Sequence, residues 1–283
     1  MKRVLTAVGL IPLVLLAVWK APPLLFLALT GGVALLCTQE YLNLVKALGH
    51  VPLRTATLGF QVGTFVLGGL WYRNLAPGSD FFLIPLVLGL AAPIALCAMF
   101  ALAMRQSELR TAFASATLSA AALPYLGMPM MALAGIREAH HGLFWTVFLF
   151  AVVWVGDIAA FYAGRSFGRR LLAPRISPKK TWLGAAASLG ASVVVAALLV
   201  KCRWLDPPSA DWPIYVPPLL AIPVNIAAQL GDLTESLLKR GAGVKDSGSL
   251  LPGHGGILDR VDALLFAAPV LWYFGAFAVV FSY

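Results

Sequence analysis

Residues 143–163 read LFWTVFLFAVVWVGDIAAFYA, twenty-one positions in which Asp157 is the one charged side chain. No period of two runs through the stretch, so it does not fit the alternating strand of a membrane barrel. A bilayer core of ~30 Å takes ~20 apolar helical residues to cross, and this run meets that length. Eight further segments read the same way, at approximately 4–19, 22–45, 55–72, 81–104, 112–136, 182–201, 213–235 and 258–282. The expected fold is an all-α polytopic integral membrane protein with about nine transmembrane helices.

Composition supports the reading drawn from that one stretch. Of 283 residues, 60% are hydrophobic and 12% charged, about half the roughly 25% charged content of a soluble protein. Mean hydropathy is +0.86. A soluble globule of this size has no room to hide so much apolar surface and would aggregate through the remainder. Gly 26, Pro 19 and Cys 3 exclude collagen, disorder and a disulfide scaffold. Cys37, Cys97 and Cys202 lie far apart without a CxxC or Cys/His pair, so no zinc site is expected.

The basic residues carry the orientation. If nine helices alternate, the side holding the N-terminus and the loops after the second, fourth, sixth and eighth helices receives 16 of the 21 lysines and arginines. Lys20, Arg73, Arg137, Lys201 and Arg203 fall on the other side. By the positive-inside rule the N-terminus is cytoplasmic and the C-terminus outside. The net charge of +9 then reports topology and anionic lipid rather than nucleic acid. The first segment follows Lys2 and Arg3 as a signal peptide does. Trp19-Lys20-Ala21-Pro22-Pro23 is no small-residue cleavage site, so a retained helix is expected. The chain divides into residues 1–140, about five helices with short turns serving as scaffold, and 141–283, about four helices with two long cytoplasmic loops, 164–181 and 239–257. Loops of that length usually carry function.

The densest chemistry lies in the second loop and its flanks. It runs Gly231-Asp232-Leu233-Thr234-Glu235-Ser236-Leu237-Leu238-Lys239-Arg240, then Lys245-Asp246-Ser247-Gly248, then Leu251-Pro252-Gly253-His254-Gly255-Gly256-Ile257-Leu258-Asp259-Arg260-Val261-Asp262. Asp232 and Ser236 are i and i+4, and Asp259 and Asp262 are i and i+3, so each pair shares a helix face. Carboxylates gathered at one membrane depth are costly and repel one another. A divalent cation with oxygen ligands resolves both difficulties, and Mg²⁺ takes carboxylates together with substrate phosphate oxygens. Structural ion pairs with Arg165, Arg240 and Arg260 are the plainer alternative. Lys239, Arg240 and Lys245 stand among glycines, including Gly255 and Gly256, whose backbone N–H groups are able to turn toward an anion. His254 is placed either to donate to a phosphate or to cap the last helix. No Walker loop is present. The other loop adds Ser177-Pro178-Lys179-Lys180-Thr181 just before a helix. Hydroxyls flanking lysines suit phosphate oxygens, although a basic anchor on anionic headgroups would use the same cations.

These residues resemble the phosphatidate cytidylyltransferases, the CDP-diacylglycerol synthase family. The family signature is approximately S-x-x-K-R-x4-K-D-x-G-x2-hydrophobic-P-x-H-G-G-x-x-D-R-x-D, and Ser236 through Asp262 meets every element over 27 residues. The likeness extends back through Gly231-Asp232-Leu233 and Ile176–Thr181 to Asp157 and Gly164-Arg165, covering roughly 150–275. It departs from the family's usual polar residues at Leu183 and Ala263. The resemblance implies that CTP and phosphatidate give CDP-diacylglycerol and pyrophosphate, for phospholipid biosynthesis. It implies catalytic roles for Asp232, Asp246, Asp259, Lys239, Arg240 and Arg260. Asp232 and Asp259 would be the ligands of Mg²⁺, either one ion or a pair. It implies substrate contacts from Ser177, Lys179, Lys180 and Thr181, and from Ser236, Lys245, His254, Gly255, Gly256 and Asp262. The expected location is a bacterial-type inner membrane, multi-pass, with the site on the cytoplasmic side among membrane lipids; a homodimer is compatible with it.

Three other readings compete. A membrane prenyltransferase would place DxxD or DxxxD pairs on two helices, and only Asp259–Asp262 has such spacing. An ion-coupled transporter calls for midplane acids and repeats. A structural membrane subunit leaves the Ser236–Asp262 loop without a purpose.

Overall fold

The computed structural model describes residues 12–74, 83–106, 108–202, 205, 213–250 and 255–281. Helices occupy the expected segments. They are α1 (12–20), α2 (Pro23–Ala47), α3 (Arg54–Asn74), α4 (Leu83–Ala103), α5 (Leu109–Ala122), α6 (Met128–Glu138), α7 (Gly142–Phe167), α8 (Trp182–Val200), α9 (Val216–Gly241) and α10 (Leu258–Phe281). A π-turn over Leu123–Gly127, holding Pro124, joins α5 to α6, as a proline does where it removes a ladder donor. Among the described residues, five helical stretches are long and apolar enough to cross a membrane: Pro23–Ala47, Leu109–Glu138, Gly142–Phe167, Trp182–Val200 and Val216–Gly241. The protein is therefore a helical integral membrane protein. Lys2, Arg3, Arg203 and the start of the first expected segment lie outside the described residues.

Among the described residues the one sheet is a two-stranded hairpin in the polar loop after α7. Strands β1 (Leu171–Ala173) and β2 (Ser177–Thr181) pair antiparallel, with Leu171 opposite Thr181 and Ala173 opposite Ser177. The hairpin runs directly into α8. Thr181 is buried, and its Oγ1 accepts from the Gly184 N–H at 3.0 Å. That is an N-cap, worth ~1 kcal/mol against alanine.

The chain forms two compact units. One comprises Met1–Gly135 with Leu238–Val261, the other Ile136–Leu237 with Asp262–Tyr283. In the first, α2 packs on α3 and α4 on α5. Met99, Ala103, Ala112, Ala116 and Ala120 form an apolar seam in which small side chains bring α4 and α5 close.

In the second unit α7 and α8 are the most intimate pair. A polar chain ties both to α9. Asn225 Nδ2 donates to Ser188 Oγ and Ser192 Oγ at 2.9 Å each, Ser192 Oγ donates to the Val152 carbonyl at 2.7 Å, and Gln229 Nε2 donates to Asn225 Oδ1 at 2.7 Å. Asn225, Ser188 and Ser192 are buried. Interhelical bonds of this kind average ~0.6 kcal/mol each in membranes. Their larger consequence is geometric, because they fix the rotation of α9 against α8.

Candidate active site

The rotation of α9 places the first functional carboxylate. Asn225, Gln229, Asp232 and Ser236 follow one another at steps of four, three and four, which is one helix face. The face that Asn225 turns to α8 therefore carries Asp232 two turns further on. There Lys180, on β2 just ahead of α8, forms an ion pair with Asp232 Oδ2. Strand alternation decides which lysine arrives: Lys180 is half-buried, whereas Lys179 next to it is exposed. Ser236 Oγ donates to Asp232 Oδ1 at 3.4 Å, a long bond. Asp157 of α7 lies within Coulombic range of both Asp232 and Lys180. Gly231 sets the approach of α10, since a Cβ there would run into the Asp262 carbonyl and lie 3.3 Å from Ala263 Cα. Asp262 Oδ1 accepts from the Ala263 N–H at 2.9 Å.

The second carboxylate belongs to the other unit. Lys239 and Arg240 close the last turn of α9, and Asp259 opens the first turn of α10; each charge suits the dipole end it occupies. Lys239 Nζ meets Asp259 Oδ1 at 2.5 Å, with side chains only 12% and 8% exposed. Asp259 Oδ2 accepts from the Ser247 N–H at 2.9 Å, the Ser247 hydroxyl at 2.8 Å and the Gly256 N–H at 2.8 Å. Gly255, with φ +81°, supplies the left-handed turn that brings the Gly256 N–H round. Arg240 donates to the Val244 carbonyl at 3.1 Å. Lys245, Asp246 and Arg260 are exposed. Of the other expected site residues, Ser177 lies on β2, Thr181 caps α8, and His254 lies outside the described residues.

Sequence reasoning passed over two participants. Glu40 of α2 is buried and accepts from the Ser247 hydroxyl at 3.0 Å, the Ile257 N–H at 3.0 Å and the Leu258 N–H at 2.9 Å. Ser247, also buried, is within hydrogen-bond distance of both Glu40 and Asp259. The available signal was the one acid of α2, in the C-terminal half of that helix beside Thr38, Gln39 and Asn43.

Do these groups fit a divalent cation? Asp232 and Asp259 each attract a lysine ammonium, and their carboxylate oxygens are the hard donors Mg²⁺ prefers. Among the described residues no three acidic, histidine or cysteine side chains gather into a cage. One or two carboxylates completed by phosphates and water is the usual Mg²⁺ arrangement, so each of these carboxylates, taken by itself, has the donor chemistry such an ion accepts.

The fold and these groups define a membrane-embedded protein with carboxylate–lysine centres suited to phosphate chemistry. More specifically, the chain belongs to the cytidylyltransferase family, which it matches over residues 1–278. It is 32% identical over 296 residues to a phosphatidate cytidylyltransferase of Haemophilus influenzae, covering 98% of this chain and 99% of that protein. It is 49% identical over 158 residues to a phosphatidate cytidylyltransferase of Brucella suis biovar 1, covering 56% of each. A Synechocystis protein of the same name is 46% identical over 135 residues, 47% of this chain and 43% of that one. The aligned stretch thus spans about half the length of the Brucella and Synechocystis relatives and nearly all of the Haemophilus one.

Proposed function

We propose that this protein transfers the cytidylyl group of CTP to phosphatidate, giving CDP-diacylglycerol and pyrophosphate. The observation that carries the reading is the Ser236–Asp262 stretch. In it a part-buried Lys239–Asp259 pair is built from the facing ends of α9 and α10, in a chain of the cytidylyltransferase family. Relatives bearing the name phosphatidate cytidylyltransferase supply the substrate pair.

In the reaction a phosphatidate phosphate oxygen bonds to the α-phosphorus of CTP as the bond from that phosphorus to the α–β bridging oxygen breaks, and that oxygen leaves as a terminal oxygen of pyrophosphate. A phosphomonoester has a second pKa of ~6, so the nucleophile is already ionised and no strong general base is required. What the protein must supply is alignment and charge neutralisation. Asp232 and Asp259 would hold Mg²⁺, one ion or two. Bound there, the metal would offset charge on the phosphates and the leaving pyrophosphate. Lys180, Lys239, Arg240, Lys245 and Arg260 grip phosphate oxygens as charge-assisted donors. The hydroxyls of Ser177, Thr181 and Ser236 and the backbone near Gly255 and Gly256 serve as further contacts. Asp246 and Asp262 are placed close in sequence as supporting acids.

One substrate arrives on a lipid and the other from the cytosol. The site therefore belongs at the cytoplasmic headgroup level of the inner membrane, with nine helices crossing, the N-terminus inside and the C-terminus outside. Residues 1–140 then serve as scaffold and 141–283 carry the chemistry; a homodimer is compatible with this plan. The test is a transfer assay with the purified protein in vesicles, given phosphatidate, Mg²⁺ and CTP labelled at the α-phosphate. Label entering lipid with one pyrophosphate released per transfer is the expected outcome. Label confined to water-soluble products refutes the assignment, and transfer of a prenyl group from an added prenyl diphosphate in the absence of CTP would favour the prenyltransferase reading instead.

A further inference from the structure

Glu40 is a buried acid in a membrane helix, and such a group is costly unless partnered. Its three donors explain how it is tolerated, but not why it stands there. The Ile257 N–H, just ahead of α10, and the Leu258 N–H, its first, lie at the positive end of that helix dipole, where an anion is favoured. A side chain from α2, more than two hundred residues earlier in the chain, thus caps the helix that presents Asp259. The local sequence is shaped around it. A Cβ at Gly248 would lie 2.6 Å from Glu40 Oε1, and one at Gly256 would overlap both Glu40 Oε2 and Ser247 Oγ. Both glycines make room for this carboxylate.

The link to Asp259 is Ser247. Its hydroxyl stands 3.0 Å from Glu40 Oε2 and 2.8 Å from Asp259 Oδ2, and its single proton serves one acceptor at a time. Asp259 Oδ2 already receives two N–H groups. Glu40 gives the hydroxyl a second acceptor, so Asp259 Oδ2 keeps its two backbone N–H bonds without depending on a third donor, and no buried donor is left unpaired.

We infer that Glu40 is a positioning residue for the Asp259 carboxylate, acting through Ser247 and the first turn of α10. This rests on Asp259 being a metal-binding acid, as proposed above. The experiment uses full-length protein in detergent or vesicles. It compares wild type, Glu40→Gln, Ser247→Ala and the double variant for Mn²⁺ affinity by electron paramagnetic resonance, and for amide exchange at 247 and 256–258. Transfer activity is followed alongside. Glu40→Gln keeps the shape but turns an N–H donor toward other donors. It is expected to speed exchange at those amides, weaken Mn²⁺ about tenfold and lower kcat by a similar factor, with KM for phosphatidate unchanged; tenfold corresponds to about 1.4 kcal/mol. The double variant should be scarcely worse than the worse single one, because both changes break one relay. Glu40→Asp, which keeps the charge one methylene short, should recover part of the Mn²⁺ affinity and serves if Glu40→Gln does not fold. Wild-type Mn²⁺ affinity in Glu40→Gln, fully additive losses, or no Mn²⁺ binding by wild type overturns the inference. Mn²⁺ binding that weakens as expected in a protein without cytidylyl transfer would instead refute the proposed reaction and leave Glu40's role standing.

Discussion

Asp232 and Asp259 are alike in chemistry and opposite in setting. Both are helix-borne carboxylates paired with a lysine. Asp259 is 8% exposed and its lysine 12%, and its two oxygens receive one ammonium, two backbone N–H groups and a hydroxyl. Asp232 is 34% exposed and its lysine 26%, and among the described residues it also accepts the long contact from Ser236. A buried ion pair that loses one partner leaves a desolvated charge at a cost of ~3–5 kcal/mol. A half-exposed pair is worth only ~0–1 kcal/mol. The first centre is therefore a fixture of the fold. The second is loosely held, and its lysine is able to leave the carboxylate for a phosphate at little cost.

The largest expected effect breaks the fixture. If Asp259 holds the metal, Asp259→Asn should lower transfer activity by a hundredfold or more, the scale of losing one preorganised electrostatic stabiliser of the transition state, ~2.7–4 kcal/mol. It should also depress the thermal midpoint in detergent, because Lys239 is left buried without its counter-charge. A scan of midpoint and activity on the same preparation tests both. Full activity with a lowered midpoint would make Asp259 structural alone.

Next comes Asp232→Asn. If Asp232 holds Mg²⁺, activity should fall roughly tenfold to a hundredfold at limiting Mg²⁺, an amide being unable to offset a divalent charge. Its midpoint should stay near wild type, since the pair it breaks is half-exposed. Equal midpoint losses in the two variants would erase the distinction between the centres. Unchanged turnover at limiting Mg²⁺ would remove Asp232 from the metal.

Much of this was legible in sequence, and the remainder escaped for definite reasons. Long apolar runs mark helices with little ambiguity, so the segment read at 143–163 is α7 (Gly142–Phe167) and that at 182–201 is α8 (Trp182–Val200). The acids and lysines of the second loop stood out because charge is rare in such a chain. The hairpin escaped because strands of three and five residues, one holding Pro178, are too short to show a period. Glu40 escaped for another reason. Its partners lie more than two hundred positions away, and a contact of that range leaves no local pattern. The sole mark was the single carboxylate of a helix that otherwise reads as a membrane span, and intramembrane acids deserve a partner search before any are set aside.

The smallest expected effect tests the loose centre by strand register. Lys179 and Lys180 are adjacent and equal in charge, so a headgroup anchor would use them alike. On β2 they point to opposite faces, and Lys180 alone pairs with Asp232. Lys180→Ala should raise KM for CTP about tenfold, the low end of a lost charge-assisted contact of ~1.5–3 kcal/mol. Lys179→Ala should change it by about twofold at most, the scale of an exposed charge acting through surface potential. Raising ionic strength from low to physiological should shrink the Lys179 effect and leave most of the Lys180 effect, because screening acts chiefly on exposed charges. If the two variants respond equally at both salts, the lysines act as a headgroup anchor, and Lys180 has no separate part in holding phosphate beside Asp232.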